Sequence, residues 1–227
     1  MSILLNNVVY SYKGKYQTVN ALKGVSYEFQ AGRLYAIIGK SGSGKSTLIS
    51  LMAGLDLPTG GEILVDGKST AEWDRKALRR EAVSVIYQSF NLFQLLTVSE
   101  NICYPLTLKK ISGSEAKSVA KKMRERVGLA DDYDRRLPSQ ISGGEQQRAA
   151  IARCLAQNCK IILTDEPTGN LDSSNTQNIV EILKSLAHDY GRTVIIVTHD
   201  SAVAEQADVV LEMKDGLLQG EQSAPAV

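Results

Sequence analysis

Two apolar runs each end in residues able to do phosphate chemistry. Leu34 to Ile38 leads into Gly39-Lys40-Ser41-Gly42-Ser43-Gly44-Lys45-Ser46-Thr47, and Ile161 to Thr164 leads into Asp165-Glu166. The first fits G-x-x-x-x-G-K-[ST] between a strand and a helix, the context that gives this motif its meaning. Its glycines let backbone N–H groups crowd around phosphates, and the helix that follows presents its positive end. Lys45 is a point charge for the β- and γ-phosphates of a nucleoside triphosphate, and the Ser46 hydroxyl is a ligand for Mg²⁺. Asp165 is expected to hold Mg²⁺ through water, and Glu166 to orient and deprotonate an attacking water. An isolated Asp-Glu-Pro serves equally well as a helix start, since Pro167 suits a first turn. The phosphate loop upstream decides for the catalytic reading.

Two more apolar runs, Val83 to Tyr87 and Thr193 to Thr198, are followed at once by Gln88 and His199. All four runs read as buried strands. In a parallel sheet their carboxyl ends share one edge, so Gly39, Gln88, Asp165 and His199 are expected at one crevice. A strand-end histidine is more often structural; on this edge, contact with a γ-phosphate is favoured. His188, in a helix among polar neighbours, carries no such role. Tyr10 and Tyr12 share a face of the first strand. Either is an ordinary half-buried aromatic or a stacking surface for adenine, and Tyr12 is the preferred stacker.

Helical patterns over Lys45 to Ala53, Glu145 to Ala156 and Ser174 to His188 separate the runs, which argues for an α/β core. Strand-like pieces at Leu4 to Tyr12 and Val25 to Phe29, with a hairpin signal at Ile63-Leu64-Val65-Asp66-Gly67, predict an antiparallel flap near the nucleotide. From Ser89 to Gln140 the chain turns helical and polar, with a helix start at Ser112-Gly113-Ser114-Glu115. Phe90, Leu92, Phe93, Leu95 and Leu96 stand out there as an apolar cluster. They pack the insertion's own core, or they form an exposed apolar groove that marks an interaction site.

The 227 residues fit one domain with a real core, 43% apolar and 22% charged. A net charge of +1 offers no broad attraction to nucleic acid or anionic lipid. No apolar run approaches the ~20 residues of a membrane helix. The start Met1-Ser2-Ile3-Leu4-Leu5-Asn6 lacks the basic lead of a secretory signal, so a cytosolic chain is expected. Cys103, Cys154 and Cys159 match no zinc spacing and are read as structural thiols.

Together these residues resemble the ATP-binding cassette (ABC) ATPases from Leu4 to about Leu218. Tyr12 matches the adenine-stacking aromatic, Gly39 to Ser46 the Walker A loop and Gln88 the Q-loop glutamine, which senses Mg²⁺ and the attacking water. Ile141-Ser142-Gly143-Gly144-Glu145 matches the signature, with Ile where Leu is usual and Glu where Gln is usual. Asp165-Glu166 matches Walker B, Asn170-Leu171-Asp172 the D-loop and His199 the switch histidine. The resemblance implies a P-loop NTPase core with a mostly parallel sheet, an N-terminal antiparallel β-subdomain and an inserted helical subdomain. Its boundaries are expected at 1–88 and 160–220 for the core with its flap, 89–159 for the helical and signature subdomain, and 221–227 for a loose tail.

The resemblance also implies ATP and Mg²⁺ as cofactors. It implies that Ser142, Gly143, Gly144 and Asp172 serve the ATP of a second copy of the chain, in a head-to-tail dimer. Ser142 and the helix behind it would supply hydrogen bonds and a positive dipole to that ATP's γ-phosphate. An integral-membrane permease, with an accessory adaptor as an optional component, would hold the chain peripherally on the cytoplasmic face of the membrane. Tyr87 to Leu92 and Thr97 to Ile102 are similar to the group of macrolide exporters, lipoprotein-release and antimicrobial-peptide-resistance systems, which includes a cell-division ATPase. Efflux or extraction follows as the expected task, with a non-transport, cell-division type as the alternative. DNA-repair cassettes need a long coiled coil that residues 47–141 lack. A P-loop kinase would need neither the signature nor His199, and an intact Glu166 argues against a regulatory cassette that does not hydrolyse.

Overall fold

The computed structural model describes residues 1–14, 17–169 and 173–223. In chain order the elements are β1 (Ile3–Lys13), β2 (Thr18–Phe29), β3 (Leu34–Ile38), α1 (Lys45–Met52), β4 (Gly60–Val65) and β5 (Lys68–Ser69). Next come α2 (Arg75–Ala77), a π-turn over Leu78–Ala82, β6 (Val83–Tyr87), α3 (Val98–Leu108) and α4 (Gly113–Arg126). Two 3₁₀ turns, Asp131–Arg135 and Pro138–Gln140, lead to α5 (Gly143–Gln157). The chain then runs through β7 (Ile161–Asp165), α6 (Ser173–His188), β8 (Thr193–Thr198), α7 (Ser201–Ala204), β9 (Val209–Lys214) and β10 (Leu217–Ser223).

Two sheets result. The first is antiparallel, ordered β2-β1-β4-β5, and supplies the expected flap. The second is ordered β10-β9-β3-β8-β7-β6 and is parallel except for the β10–β9 pair. Strand alternation divides the interior into two cores. Leu34, Ala36, Ile162, Val194 and Ile196 face the helical layer, while Tyr35, Ile37, Leu163, Ile195 and Val197 face α1 and the antiparallel sheet. Both faces are covered, which is why these runs read as continuously apolar. Each buried isoleucine or valine contributes ~1.5–3 kcal/mol.

The helices of the insertion begin where short polar side chains replace missing backbone partners. Thr97 and Glu100 form a reciprocal capping box at α3, and Ser142 and Glu145 form another at α5. Ser112 caps α4 by accepting from the Glu115 N–H. The apolar cluster after Gln88 is divided. Leu92 is buried and Phe90 packs half-buried on the helical core, whereas Phe93 is 42% and Leu95 91% exposed. Asn101 fixes this loop from below: its amide donates to the carbonyls of Phe93, Leu96 and Thr97, and its oxygen accepts from the Phe93 N–H.

The tail differs from expectation. β10 continues to Ser223, with Glu221, Gln222 and Ser223 paired to Leu211, Val210 and Val209. A bulge at Gly220, whose φ of 66° suits glycine, realigns the strand so that pairing resumes. Main-chain hydrogen bonding to β9 holds these polar residues. Of the three thiols, Cys154 and Cys159 are buried and Cys103 packs half-buried on the helical core. Cys154 contacts the Ser84 hydroxyl at 2.9 Å, and burial pushes the Cys159 thiol up to about 12. His188 ties the end of α6 to Asp208 at 2.9 Å.

Candidate active site

Register gathers the site. One row of paired residues crosses four strands, Ile37–Val197–Asp165–Tyr87. The residues just beyond that row include Gly39, His199, Glu166 and Gln88, and they line one cleft of about 730 Å³. Tyr12, Lys40, Ser41, Gly42, Gly44, Lys45, Ser46, Thr47 and Asp165 line it too.

The glycine-rich loop is shaped by its walls. A Cβ on Gly39 would lie 2.2 Å from the Met213 carbonyl oxygen, and one on Gly44 2.6 Å from that of Ala21. Gly44 also sits at φ 108°, where side chains are strained. Behind it, α1 begins with no side-chain cap and no acidic residue in its first turn. Its first N–H groups and positive end therefore face the cleft, an arrangement suited to an anion. Lys45 Nζ donates to the carbonyls of Gly39 and Lys40 at 2.6 and 3.0 Å, which arches the loop over the ammonium. Ser43 is the one loop residue turned away from the cleft wall. Its N–H donates to Lys40, its carbonyl accepts from the Gly216 N–H, and its hydroxyl is buried under the loop.

Across the cleft, Asp165 is the last residue of β7, hydrogen-bonded to the Ser46 hydroxyl. Burial pushes its carboxyl up, the Ser46 bond opposes this, and the adjacent Glu166 charge adds to it. Glu166 turns toward the same side because its backbone is left-handed, φ 50°, with its N–H held by the Val197 carbonyl at 2.9 Å. Its carboxylate lies 2.8 Å from His199 Nδ1. The histidine side chain is 72% exposed and that of Glu166 only 15%. Gln88 approaches from β6; a Cβ on Gly169 would lie 3.3 Å from its Nε2. A lysine, a hydroxyl and two carboxylates around an uncapped helix start can bind a triphosphate and place a water beside it.

The two tyrosines separate cleanly. Tyr10 is buried, with its hydroxyl 2.5 Å from Asp56, a bond that raises the phenol to about 12. Tyr12 is 49% exposed on the cleft rim, packed edge-on against Tyr10 and 3.1 Å from the Thr47 hydroxyl. Ser142, Gly143 and Gly144 do not line the cleft. They start α5, where the Glu145 carboxylate accepts from the Ser142 N–H at 2.7 Å and from the Tyr133 hydroxyl at 2.5 Å. Asp172 lies outside the described residues. Sequence reasoning missed Val19, Asn20 and Ala21 of β2, which also line the cleft. Ala21 limits the space at Gly44 with a backbone oxygen, so no side-chain type announced it.

A family model described as ABC transporter matches residues 22–169. The chain belongs to the ABC transporter family. It is an ATP-binding subunit, and ATP hydrolysis coupled to transport is the activity of the family. An uncharacterised ABC transporter ATP-binding protein of Methanocaldococcus jannaschii, MJ0796, is 41% identical over 97% of this cassette and 96% of its own length. An uncharacterised Mycobacterium tuberculosis ABC ATP-binding protein, Rv0986, is 38% identical over 95% and 88%. The macrolide export ATP-binding/permease protein MacB of Aggregatibacter actinomycetemcomitans is 43% identical over 87% of this cassette, which spans 31% of that longer protein. A solved dimeric structure of MJ0796 in a post-hydrolysis state, bound to ADP and Pi, superposes with a TM-score of 0.93 at 38% identity. It covers 99% of this chain and 100% of that one.

Proposed function

We propose that this cassette works as one half of a head-to-tail dimer that closes around ATP and drives an efflux- or extraction-type membrane permease. One observation carries the reading: among the described residues the cleft gathers the expected nucleotide-binding positions other than Ser43, which lies beneath the loop, and Ser142, Gly143 and Gly144, which start a helix outside it. A second copy would bring that helix to the nucleotide, as the dimeric MJ0796 structure makes reasonable.

In this reading the Gly39–Thr47 loop and Lys45 hold the triphosphate and Tyr12 stacks on adenine. Glu166 takes the proton of the attacking water, with His199 beside it to orient the carboxylate and meet the γ-phosphate. Ser46, Gln88 and Asp165 would hold Mg²⁺. Among the described residues no cluster of three or more His, Cys, Asp or Glu could hold a metal alone. A hydroxyl, an amide oxygen and one carboxylate, completed by phosphate oxygens and water, form the hard, sparse ligand set that suits this ion. Mg²⁺ supplies neutralisation of phosphate charge when bound.

For the permease, a second cavity of about 430 Å³ has an apolar floor of Val85, Phe93, Tyr104, Pro105 and Leu108. Arg153 on its rim donates to the carbonyls of Phe90 and Asn91, just past Gln88. Force at this groove would thus reach the cleft through three residues. A short permease helix fits as its occupant, as the fused architecture of MacB supports. Among the described residues no helix is long and apolar enough to cross a membrane, so a membrane position would come through that partner.

The test is sedimentation of Glu166→Gln with ATP and Mg²⁺. The expected result is a stable dimer that Ser142→Arg abolishes while nucleotide still binds. A monomer under all nucleotide conditions would remove the head-to-tail reading.

A further inference from the structure

The signature of this cassette carries a carboxylate where an anion must arrive. Glu145 occupies the third position of α5, in the same turn as the N–H groups of Gly143 and Gly144. Those groups are the donors a partner's γ-phosphate would use, and a nearby negative charge opposes its approach. The carboxylate is not free to swing toward them. Its Oε2 accepts from the Ser142 N–H at 2.7 Å, and its Oε1 accepts from the Tyr133 hydroxyl at 2.5 Å. We propose that Tyr133 is a positioning residue for the signature, which holds the Glu145 carboxylate back so that Ser142 and the two glycines stay open to the partner's ATP. The proposal rests on the head-to-tail reading.

Tyr133 is itself held firmly. It sits on the 3₁₀ turn Asp131–Arg135, and Arg136 stacks on its ring with the guanidinium carbon 4.4 Å from the centroid. The turn is anchored by Arg124, a buried arginine of α4. It pairs with Asp131, with Asp134 at 2.9 Å, and donates to the Leu129 carbonyl at 3.0 Å. A fixed donor of this kind orients a carboxylate more sharply than solvent would. On the other side of the helix start, a Cβ on Gly143 would already touch the Phe90 ring at 3.8 Å. The helix start is thus confined between the Phe90 loop and the Tyr133 turn.

The hydrogen-bond arithmetic makes a specific prediction. Removing the phenol oxygen strands Oε1 of an ionised group and frees the carboxylate to turn toward the N–H groups needed for phosphate. Replacing Glu145 with Gln removes the charge, and the amide oxygen can still accept from the Ser142 N–H. The Tyr133 hydroxyl then loses its importance.

The test is ATP-driven dimerisation in a Glu166→Gln background, followed by sedimentation, with nucleotide titration of the dilute monomer alongside. Tyr133→Phe, which keeps the ring, is expected to weaken the dimer roughly tenfold, the scale of a hydrogen bond to a charged group. Adding Glu145→Gln to it should restore dimerisation to within about twofold of the parent. Glu145→Gln alone should dimerise at least as well as the parent. A merely structural tyrosine would not be rescued this way. Parent-like dimerisation of Tyr133→Phe, a double variant as weak as the single one, or a Glu145→Gln dimer weaker than the parent would each overturn the proposal. If the parent background never dimerises with ATP, the head-to-tail reading and this one fall together.

Discussion

The N-termini of α1 and α5 are the two helix starts that the proposed dimer gives to phosphate, and they are built in opposite ways. α1 follows Gly44 and has neither a side-chain cap nor an acid in its first turn. α5 has Ser142 and Glu145 in a reciprocal box, with the carboxylate itself bound by Tyr133. An uncapped start is costly when empty, because its donors lack partners. It suits a nucleotide that stays within one subunit's own cleft. A capped start is stable when alone, which suits a helix that meets phosphate only part of the time. The difference separates holding a ligand from closing over one.

The sharpest way to break this comparison is to damage each end and read both functions. Lys45→Ala is expected to lower ATP affinity ~10²-fold or more, because a charge-assisted contact in a partly buried site is lost, and to abolish the dimer with it. Glu166→Gln should leave ATP affinity intact while steady-state phosphate release slows ~10²-fold or more. Equal turnover in that variant would remove Glu166 from the chemistry. Next in size, Tyr12→Ala should weaken nucleotide binding by the ~1–3 kcal/mol of a base–aromatic stack. Tyr12→Phe should cost less, since only the Thr47 contact is lost. Tyr10→Ala should lower the thermal midpoint through the lost Asp56 bond and leave the stacking surface in place. A fluorescent-nucleotide titration of all three decides which ring meets adenine.

Two smaller effects sharpen the α5 side. Phe93 is a half-exposed part of the groove floor packed on Tyr104, so Phe93→Ser should cost only about 1 kcal/mol of folding stability while stimulation by a reconstituted permease is lost. Unchanged stimulation would place that partner elsewhere. The smallest effect is in pH. The Tyr133 hydrogen bond holds the Glu145 carboxyl below its ordinary 4.5, with the Ser142 N–H and the Arg148 charge acting in the same direction. A carboxylate with a lowered folded pKa stabilises above the unfolded value and loses that contribution as pH falls through the folded one. Stability of the α5 start should therefore be flat at neutral pH and decline below 4.5. Glu145→Gln should abolish this component of an acid-unfolding profile.

Much of the fold was legible because the chemistry sits at strand ends. Buried parallel strands read as unbroken apolar runs, and Gly39, Gln88, Asp165 and His199 directly follow four of them. What stayed hidden had no side-chain signature. Ala21 shapes the loop through a carbonyl oxygen, and Met213 does so through another. The end of β10 is polar and held by main-chain pairing, so Glu221 to Ser223 carried no alternation to read. The cluster from Phe90 to Leu96 was visible as apolar but not as divided. Burial there is decided by Asn101 gripping the loop backbone, a tertiary contact. Tyr133 stood apart from any motif, and only folding brings it to Glu145.

The row Ile37–Val197–Asp165–Tyr87 makes strand length a form of measurement. Each strand delivers its reactive residue by stopping at a set distance along a shared ruler with ~3.3 Å divisions. Deleting one residue within Thr193–Thr198 would leave every motif letter intact. It would nonetheless draw His199 back by one division and turn it to the opposite face of the sheet. Substitution scans cannot reveal such a fault. In this protein, spacing between ordinary valines and isoleucines is as much a part of the catalyst as the carboxylates they deliver.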